Sequence, residues 1–261
     1  MQQDTKPSPL VVAEIGMNHM GSEVYAYEYL YALSAAHVDA ITFQVREPSY
    51  YAKQEKGAST FLSDEYYRAA AARTKKLGMQ FGIALCDLAK LPFFESIGTD
   101  FYKVLSKDIT DHDLVAAMLA TGKPVYVSTG MSDEDDLDAF FESLGPTVPD
   151  NLTLIHTQLS YDDADTNLRA IRRLREVFDV DVAFGLHSTD MHALYASLGF
   201  APSALFFYVK GNRPLTTHKD EAHAIPNGDV FAVVAEIRRL MTMMGEGVKQ
   251  KMPNRIKDQQ K

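Results

Sequence analysis

Short apolar runs rich in β-branched and aromatic residues recur along the chain, separated by longer stretches of helical period. The runs fall at residues 10–15 (LVVAEI), 40–45 (AITFQV), 80–85 (QFGIAL), 101–105 (FYKVL), 124–128 (PVYVS), 152–157 (LTLIHT), 182–187 (VAFGLH) and 205–210 (LFFYVK). Between them, Ser22 is placed to cap a helix with Ala26, Leu30 and Leu33 on one face. Asp111 precedes Leu114, Met118 and Leu119, with Gly122 and Pro124 closing that segment. Ser132 is expected to cap a helix whose first turn, Asp133, Glu134 and Asp135, suits the helix dipole. The last helix is expected over about 229–244, with Val230, Val233, Val234, Ile237 and Leu240 on one stripe.

Strands that are apolar throughout and alternate with helices imply a parallel sheet covered on both sides. Eight such units predict an α/β fold, a closed (β/α)8 TIM barrel in a single domain, rather than an open doubly wound sheet. No G-x-G-x-x-G or G-x-x-x-x-G-K-[ST] loop follows any strand, which weakens the open alternative. The barrel is expected over 10–245, with an N-terminal extension at 1–9 and a polar C-terminal tail at 246–261. Residues 46–60, the longest connection, read as too polar and interrupted for a helix. The MTMM run, Met241 to Met244, reads as helix packing.

With 261 residues and a formal charge of −9, the chain has room for a sizeable core and no global field that attracts a polyanion. Nucleic acid is therefore not an expected partner. No apolar run approaches the roughly 20 residues that span a bilayer, so no membrane is expected either. The single cysteine, Cys86, excludes an intramolecular disulfide and suits a reducing, cytoplasmic setting. With no basic neighbour in sequence it reads as inert.

In such a barrel the chemistry sits at the carboxyl ends of the strands. Those positions hold Glu14, Asn18 and His19; Gln44 and Arg46; Asp87; Lys103, Ser106, Lys107 and Asp108; and Ser128 and Thr129. The later strands add His156, Gln158 and Tyr161; His187, Ser188 and Asp190; and Lys210, Asn212 and Arg213, before the segment THKDEAH at 217–223. Cations, hydroxyls and imidazoles at one mouth describe a pocket for a small, anionic, oxygen-rich ligand. Lys103 and Ser106 are expected to face that mouth and grip an anion. Ser128 and Thr129 read equally as turn or cap residues, His156 as a satisfied core histidine, and His218 and His223 as a solvated loop.

The stretches AEIGMNHMG (13–21), FYKVLSKD (101–108), GKPVYVSTGM (122–131) and YDDADTNLRAI (161–171) resemble the sialic acid synthase family, at weaker strength over about 11–245. That resemblance implies condensation of phosphoenolpyruvate with an N-acyl amino sugar in acidic-sugar biosynthesis, assisted by a divalent metal (Mn, Mg or Zn). It implies Glu14 at the sugar or the catalytic water, Lys103, Ser106 and Ser128 at phosphoenolpyruvate, and Tyr161 on the sugar side. Glu14, Lys103 and His187 are thus the candidate catalytic residues. Asn18, Gln44, Arg46, Ser106, Ser128, Tyr161, Lys210 and Asp220 are the candidate substrate contacts.

The chain also departs from the family pattern. Thr42 stands where a phosphate-binding lysine is usual, Ala84 where a threonine is usual, Leu159 where an asparagine is usual, and Thr157 replaces a cysteine. The first two changes predict weaker phosphoenolpyruvate binding, unless Arg46 or Lys210 substitutes. Of the family's two metal histidines, His187 lies two places early and the eighth strand offers none. If the THKDEAH segment folds back, His218, Asp220 or His223 joins His187, with His218 or His223 the favoured metal partner; otherwise Lys210 supplies a fixed positive charge. The family's antifreeze-like domain has no counterpart in the sequence, and a homodimer whose partner completes the sugar side is expected. Two other readings stand beside the synthase. One is a keto-acid aldolase or lyase using Lys103 as a Schiff base, its amine kept neutral by burial; the other is a barrel that binds a sugar acid or partner without turnover.

Overall fold

The computed structural model describes residues 8–55, 59–212 and 217–249. The expected mouth residue Arg213, nearly all of the N-terminal extension and most of the C-terminal tail lie outside those residues. Eight parallel strands close into a barrel: β1 (Leu10–Gly16), β2 (Ala40–Val45), β3 (Gln80–Leu85), β4 (Phe101–Val104), β5 (Val125–Ser128), β6 (Leu152–His156), β7 (Asp181–Leu186) and β8 (Ala204–Lys210). They pair in sequence order, and β8 closes on β1 with Val12 opposite Phe206 and Glu14 opposite Tyr208. A short ninth strand, β9 (Ile225–Pro226), pairs with the end of β8.

The outer layer comprises α1 (Glu23–Ala35), α2 (Pro48–Ala52), α3 (Asp64–Lys76), α4 (Leu91–Ser96), α5 (His112–Leu119), α6 (Glu134–Leu144), α7 (Ala170–Phe178), α8 (Met191–Ser197) and α9 (Asn227–Met244). Ser22 and Asp111 cap α1 and α5 as their positions predict, accepting from the backbone N–H of Tyr25 and Leu114. Two expectations need correction. Asp133, not Ser132, caps α6, because its carboxylate and that of Asp136 each accept from the other's backbone N–H in a capping box. The connection after β2 holds a one-turn helix, α2, started by Pro48, whose fixed φ suits a first helical position.

Because side chains alternate across a strand, each barrel strand feeds two cores. Outward residues such as Val11, Ala13, Ile41, Phe43, Val104 and Val127 pack with the helices in the larger cluster. Inward residues Val12, Ala40, Phe101, Ile155, Ala183, Ala204 and Phe206 fill the barrel, with Tyr126 against them. Tyr126 meets Phe101 and Phe206 edge-on, at ring-centroid distances of 5.5 and 5.0 Å. Gly82 makes room for this plug: a Cβ there would lie 2.2 Å from the Phe101 ring. The lower barrel is closed, so any ligand has to enter from the carboxyl ends of the strands.

Candidate active site

One inward position above the apolar plug, the same strands turn polar. Val12 is followed by Glu14, Phe101 by Lys103, Tyr126 by Ser128 and Phe206 by Tyr208. The two-residue period keeps each later group on the inner face, so composition alone sets the floor of the mouth. Glu14 and Lys103 are only 3% and 4% exposed, and the Lys103 ammonium donates to the Glu14 carboxylate in a buried ion pair. The ammonium also lies 5.4 Å from the Phe206 ring centroid and 5.7 Å from that of Tyr208. A Schiff-base lysine has to present its amine to the substrate, whereas here the Lys103 side chain is engaged by Glu14. It also means that Lys103 meets an incoming anion already neutralised by Glu14.

The segment after β8 folds back over the mouth, and Asn18 fixes it there. Asn18 is fully buried; its amide N donates to the Val209 carbonyl at 2.8 Å and its amide O accepts from the Asp220 N–H at 3.2 Å. Both ends of the side chain are thus used for the fold, which gives Asn18 a positioning task rather than a free substrate contact. Gly16, at φ +52°, turns the end of β1 where a Cβ would come within 2.9 Å of the Tyr208 ring. Asp220 then lies close enough to Glu14 and Lys103 to sense both charges. Burial, with the Glu14 charge adding, pushes Asp220 up to about 7, while Lys103 pulls it back down. At neutral pH the cluster therefore holds a carboxyl group that can both keep and release a proton.

A turn in the same segment sends its two histidines in different directions. His218 points to the helical layer, its Nε2 2.8 Å from the Tyr25 hydroxyl and its Nδ1 3.0 Å from Glu221. It is not beside His187, and the expectation of a metal-binding His218 is corrected on that ground. His223 does reach His187, with ring centroids 4.5 Å apart and planes 32° apart. Tyr208 is edge-on to both, at 5.7 Å from His187 and 5.3 Å from His223. Burial pushes His187 down to about 3, with the neighbouring His223 and Lys103 adding to it. Burial and the Lys103 charge push His223 down to about 4. Both imidazoles are neutral at pH 7, and neither ring nitrogen of the buried His223 has a partner.

Neutral, unpartnered imidazole nitrogens are what a metal ligand needs. No group of three or more His, Cys, Asp or Glu that would enclose an ion occurs among the described residues. The donors present fit an ion held at two points, His187 and His223, with its other positions left to water and substrate oxygen. Imidazole donors suit zinc better than magnesium.

The remaining candidates divide between the mouth and its surroundings. Ser128 is buried at the end of β5, and Gln44 follows Thr42 on the inward face of β2. Tyr161 is 59% exposed and leans over His223 with ring centroids 6.0 Å apart. The Ser106 hydroxyl accepts from the Gly130 N–H at 3.1 Å, tying the ends of β4 and β5 together. Lys210 donates to the Glu221 carboxylate at 2.5 Å and to its carbonyl at 2.9 Å. Those bonds, with others from His218, hold Glu221 down to about 2. Arg46 donates to Glu47 at 2.9 Å and stacks over Tyr50 at 4.1 Å. Neither cation is presented unpaired for the phosphate contacts expected at Thr42 and Ala84. His156 is held below the loop after β6, its Nε2 3.0 Å from the Thr166 carbonyl.

Sequence reasoning passed over three residues that shape this site. Tyr208 does carry a signal, its inward register one position above Phe206 and opposite Glu14. Glu221 and Tyr25 carry no such signal, because their partners, Lys210 and His218, are brought to them by a fold-back that no local period encodes.

Comparison with known proteins agrees with this architecture. The sequence model of the NeuB family matches residues 29–249. An uncharacterised protein of Methanocaldococcus jannaschii is 26% identical over 254 residues, covering 94% of this chain and 74% of its own length. The N,N'-diacetyllegionaminic acid synthase of Legionella pneumophila is 24% identical over 271 residues, covering 94% of this chain and 76% of its own length. Among solved structures, the N-acetylneuraminic acid synthetase of Leptospira borgpetersenii, in complex with citrate, superposes with a TM-score of 0.80 at 20% identity. That superposition covers 97% of this chain and 90% of the other and shows a shared fold. The extent of the family match, from α1 through α9, assigns the chain: it belongs to the NeuB family.

Proposed function

We propose that this protein condenses phosphoenolpyruvate with the aldehyde of an N-acyl amino sugar to make an acidic sugar. The observation that carries the reading is the convergence of Glu14, Lys103, Asp220, His187 and His223 above a closed apolar plug. The legionaminic acid synthase named above supports the substrate class.

In this reading the C3 carbon of phosphoenolpyruvate bonds to the aldehyde carbon, and the aldehyde oxygen takes a proton. Asp220, with its carboxyl near pH 7, supplies that proton. Water then adds at C2 and gives one proton to Glu14; as the C2–O bond to phosphorus-bound oxygen breaks, the phosphate leaves with the remaining hydroxyl proton and the C2 ketone is left. Lys103 stays beside Glu14 and balances the charge of the enolpyruvate carboxylate as the pair rearranges. His187 and His223 would hold a divalent ion, which when bound polarises the aldehyde oxygen. Tyr208, held neutral by burial and by the Glu14 and Asp220 charges, packs edge-on against both imidazoles and fixes their place beside the pair.

The test is phosphate release from phosphoenolpyruvate in the presence of manganese or zinc and a panel of N-acyl hexosamines. Phosphate release that depends on the sugar, with the bridging oxygen appearing in phosphate, supports the condensation. No borohydride-dependent labelling of Lys103 is expected. Keto-acid cleavage with labelling of Lys103 would establish the lyase reading, and sugar binding without phosphate release the non-catalytic one.

A further inference from the structure

We propose that residues 217–224 form a strap that lifts off the barrel mouth to admit ligands, and that a latch of Lys210 and Glu221 on its outer side holds it shut. The need for movement comes from burial. Glu14, Lys103, Ser128 and Tyr208 are all buried, so no ligand pairs with the floor of the mouth while its cover is in place. Both ring nitrogens of His223 are sealed from solvent and without a partner, so this imidazole cannot take an ion as it stands. The apolar plug closes the route from below, and the paired strands close the sides. The cover has to move.

The strap is the part of that cover least firmly held. The elements on either side of it are anchored: the Gly211 N–H at the end of β8 donates to the Tyr29 hydroxyl at 2.8 Å, and Ile225 of β9 pairs with Val209. Between them, no residue of 217–224 belongs to either apolar core. Segments that bury little apolar surface open locally at far lower cost than the whole fold unfolds. On its inner side the strap is held by the Asp220 N–H, which donates to Asn18 at 3.2 Å, and by the His223 ring against His187 and Tyr208. On its outer side Glu221 gathers the ties. Its carboxylate accepts from the Lys210 ammonium at 2.5 Å and from the His218 N–H at 3.1 Å, and its carbonyl accepts from Lys210 at 2.9 Å. His218 carries the tie onward to Tyr25 on α1, at 2.8 Å. The Glu221 side chain is 44% exposed, and an ion pair in that setting shifts an equilibrium by about tenfold at most. That is enough to keep the strap mostly shut and too little to keep it permanently shut. Opening carries His223 into solvent and uncovers Glu14 and Lys103, a gating task of the kind that lids perform.

The strap controls access and not chemistry, so the inference holds for any ligand of the mouth, and its test needs no substrate. Diethyl pyrocarbonate, which acylates accessible neutral imidazoles, is applied to the full chain and the labelling rate of each histidine is read by mass spectrometry. His192, with a side chain 92% exposed, sets the fast limit, and the buried His156 reports global opening. His223 is expected to react at least about tenfold more slowly than His192 and at least about tenfold faster than His156. Lys210→Met and Glu221→Ala should each speed His223 labelling by about three- to tenfold and leave His156 and His192 unchanged. Arg172→Met, which breaks an exposed pair with Glu176 on α7, should change none of the three. His223 labelling as slow as His156, as fast as His192, or indifferent to either latch variant would overturn the proposal, as would equal acceleration by Arg172→Met.

Discussion

Two layers of one barrel, separated by a single inward residue on each strand, follow opposite rules. The lower layer, with Val12, Phe101, Tyr126 and Phe206, is a dry plug held by ring contacts and dispersion. The upper layer, with Glu14, Lys103, Ser128 and Tyr208, keeps polar groups under a fold-back segment that excludes most water. The backbone geometry is the same in both, so the difference is made by side chains alone. Burial in the lower layer is favourable in itself. In the upper layer it is tolerated only because charges are paired, and where they are not paired it moves protons, as at Asp220, His187 and His223.

The largest test of that contrast is to remove one group from each layer. Phe101→Ala should cost about 3–5 kcal/mol by leaving a cavity in the plug. Lys103→Met should cost a similar amount, about 3–5 kcal/mol, by stranding the Glu14 carboxylate without a partner. The layers separate in the double variants. Glu14→Met with Lys103→Met should regain most of the stability, since two apolar groups replace a buried ion pair. No second substitution in the plug restores Phe101→Ala in that way. Chemical denaturation of the native protein and the three variants reads this directly, and a double variant no more stable than Lys103→Met would break the comparison.

Next in size is Asn18→Ala, which leaves the Val209 carbonyl and the Asp220 N–H unpaired. A loss of about 2–4 kcal/mol is expected. Hydrogen exchange should accelerate most in residues 217–224, which Asn18 holds over the mouth. Uniform acceleration along the chain would argue that the segment is fixed by something else.

The pH dependence gives a smaller effect with two opposite signs. His187 and His223 are depressed to about 3 and about 4 from 6.5, so the unfolded chain binds more protons below pH 6.5. Their contribution is complete above about pH 6.5 and is lost as the pH falls through about 4 and then about 3. Asp220 is raised from 3.8 to about 7. Its contribution is complete below 3.8 and is lost as the pH rises through about 7. Asp220→Asn should therefore raise stability at pH 8 relative to pH 5 by about 2 kcal/mol compared with the native protein. His223→Gln should flatten the acid limb instead. Identical pH profiles for all three proteins would contradict these assignments.

The smallest effect lies outside both layers, at the start of α6. Asp133→Ala should cost about 1 kcal/mol through loss of the capping box, and Ser132→Ala almost nothing. Thermal melts distinguish the two.

These positions also show what can be read from one dimension. The period-2 and helical patterns carry the barrel, and with it the floor of the mouth, because Glu14, Lys103, Ser128 and His187 follow from strand register alone. What they cannot carry is the company each group keeps. The sequence pattern does not reveal that Lys103 would meet Glu14, 89 positions away. Nor does it reveal which of two histidines five residues apart turns inward, since that is decided by Asn18 and by a turn at Asp220. The cap at Asp133 was missed for a local reason: Ser132 and Asp133 are both good caps, and only the reciprocal bond to Asp136 selects between them.

The most direct test of the account joins the two layers to the chemistry. Sugar-dependent phosphate release from phosphoenolpyruvate is to be measured for the native protein, for the stable Glu14→Met/Lys103→Met double variant and for a conservative plug variant, Phe101→Leu. The account predicts that the double variant remains folded and releases no phosphate above background, while Phe101→Leu keeps most of the native rate. Native-like phosphate release from the folded double variant would contradict it.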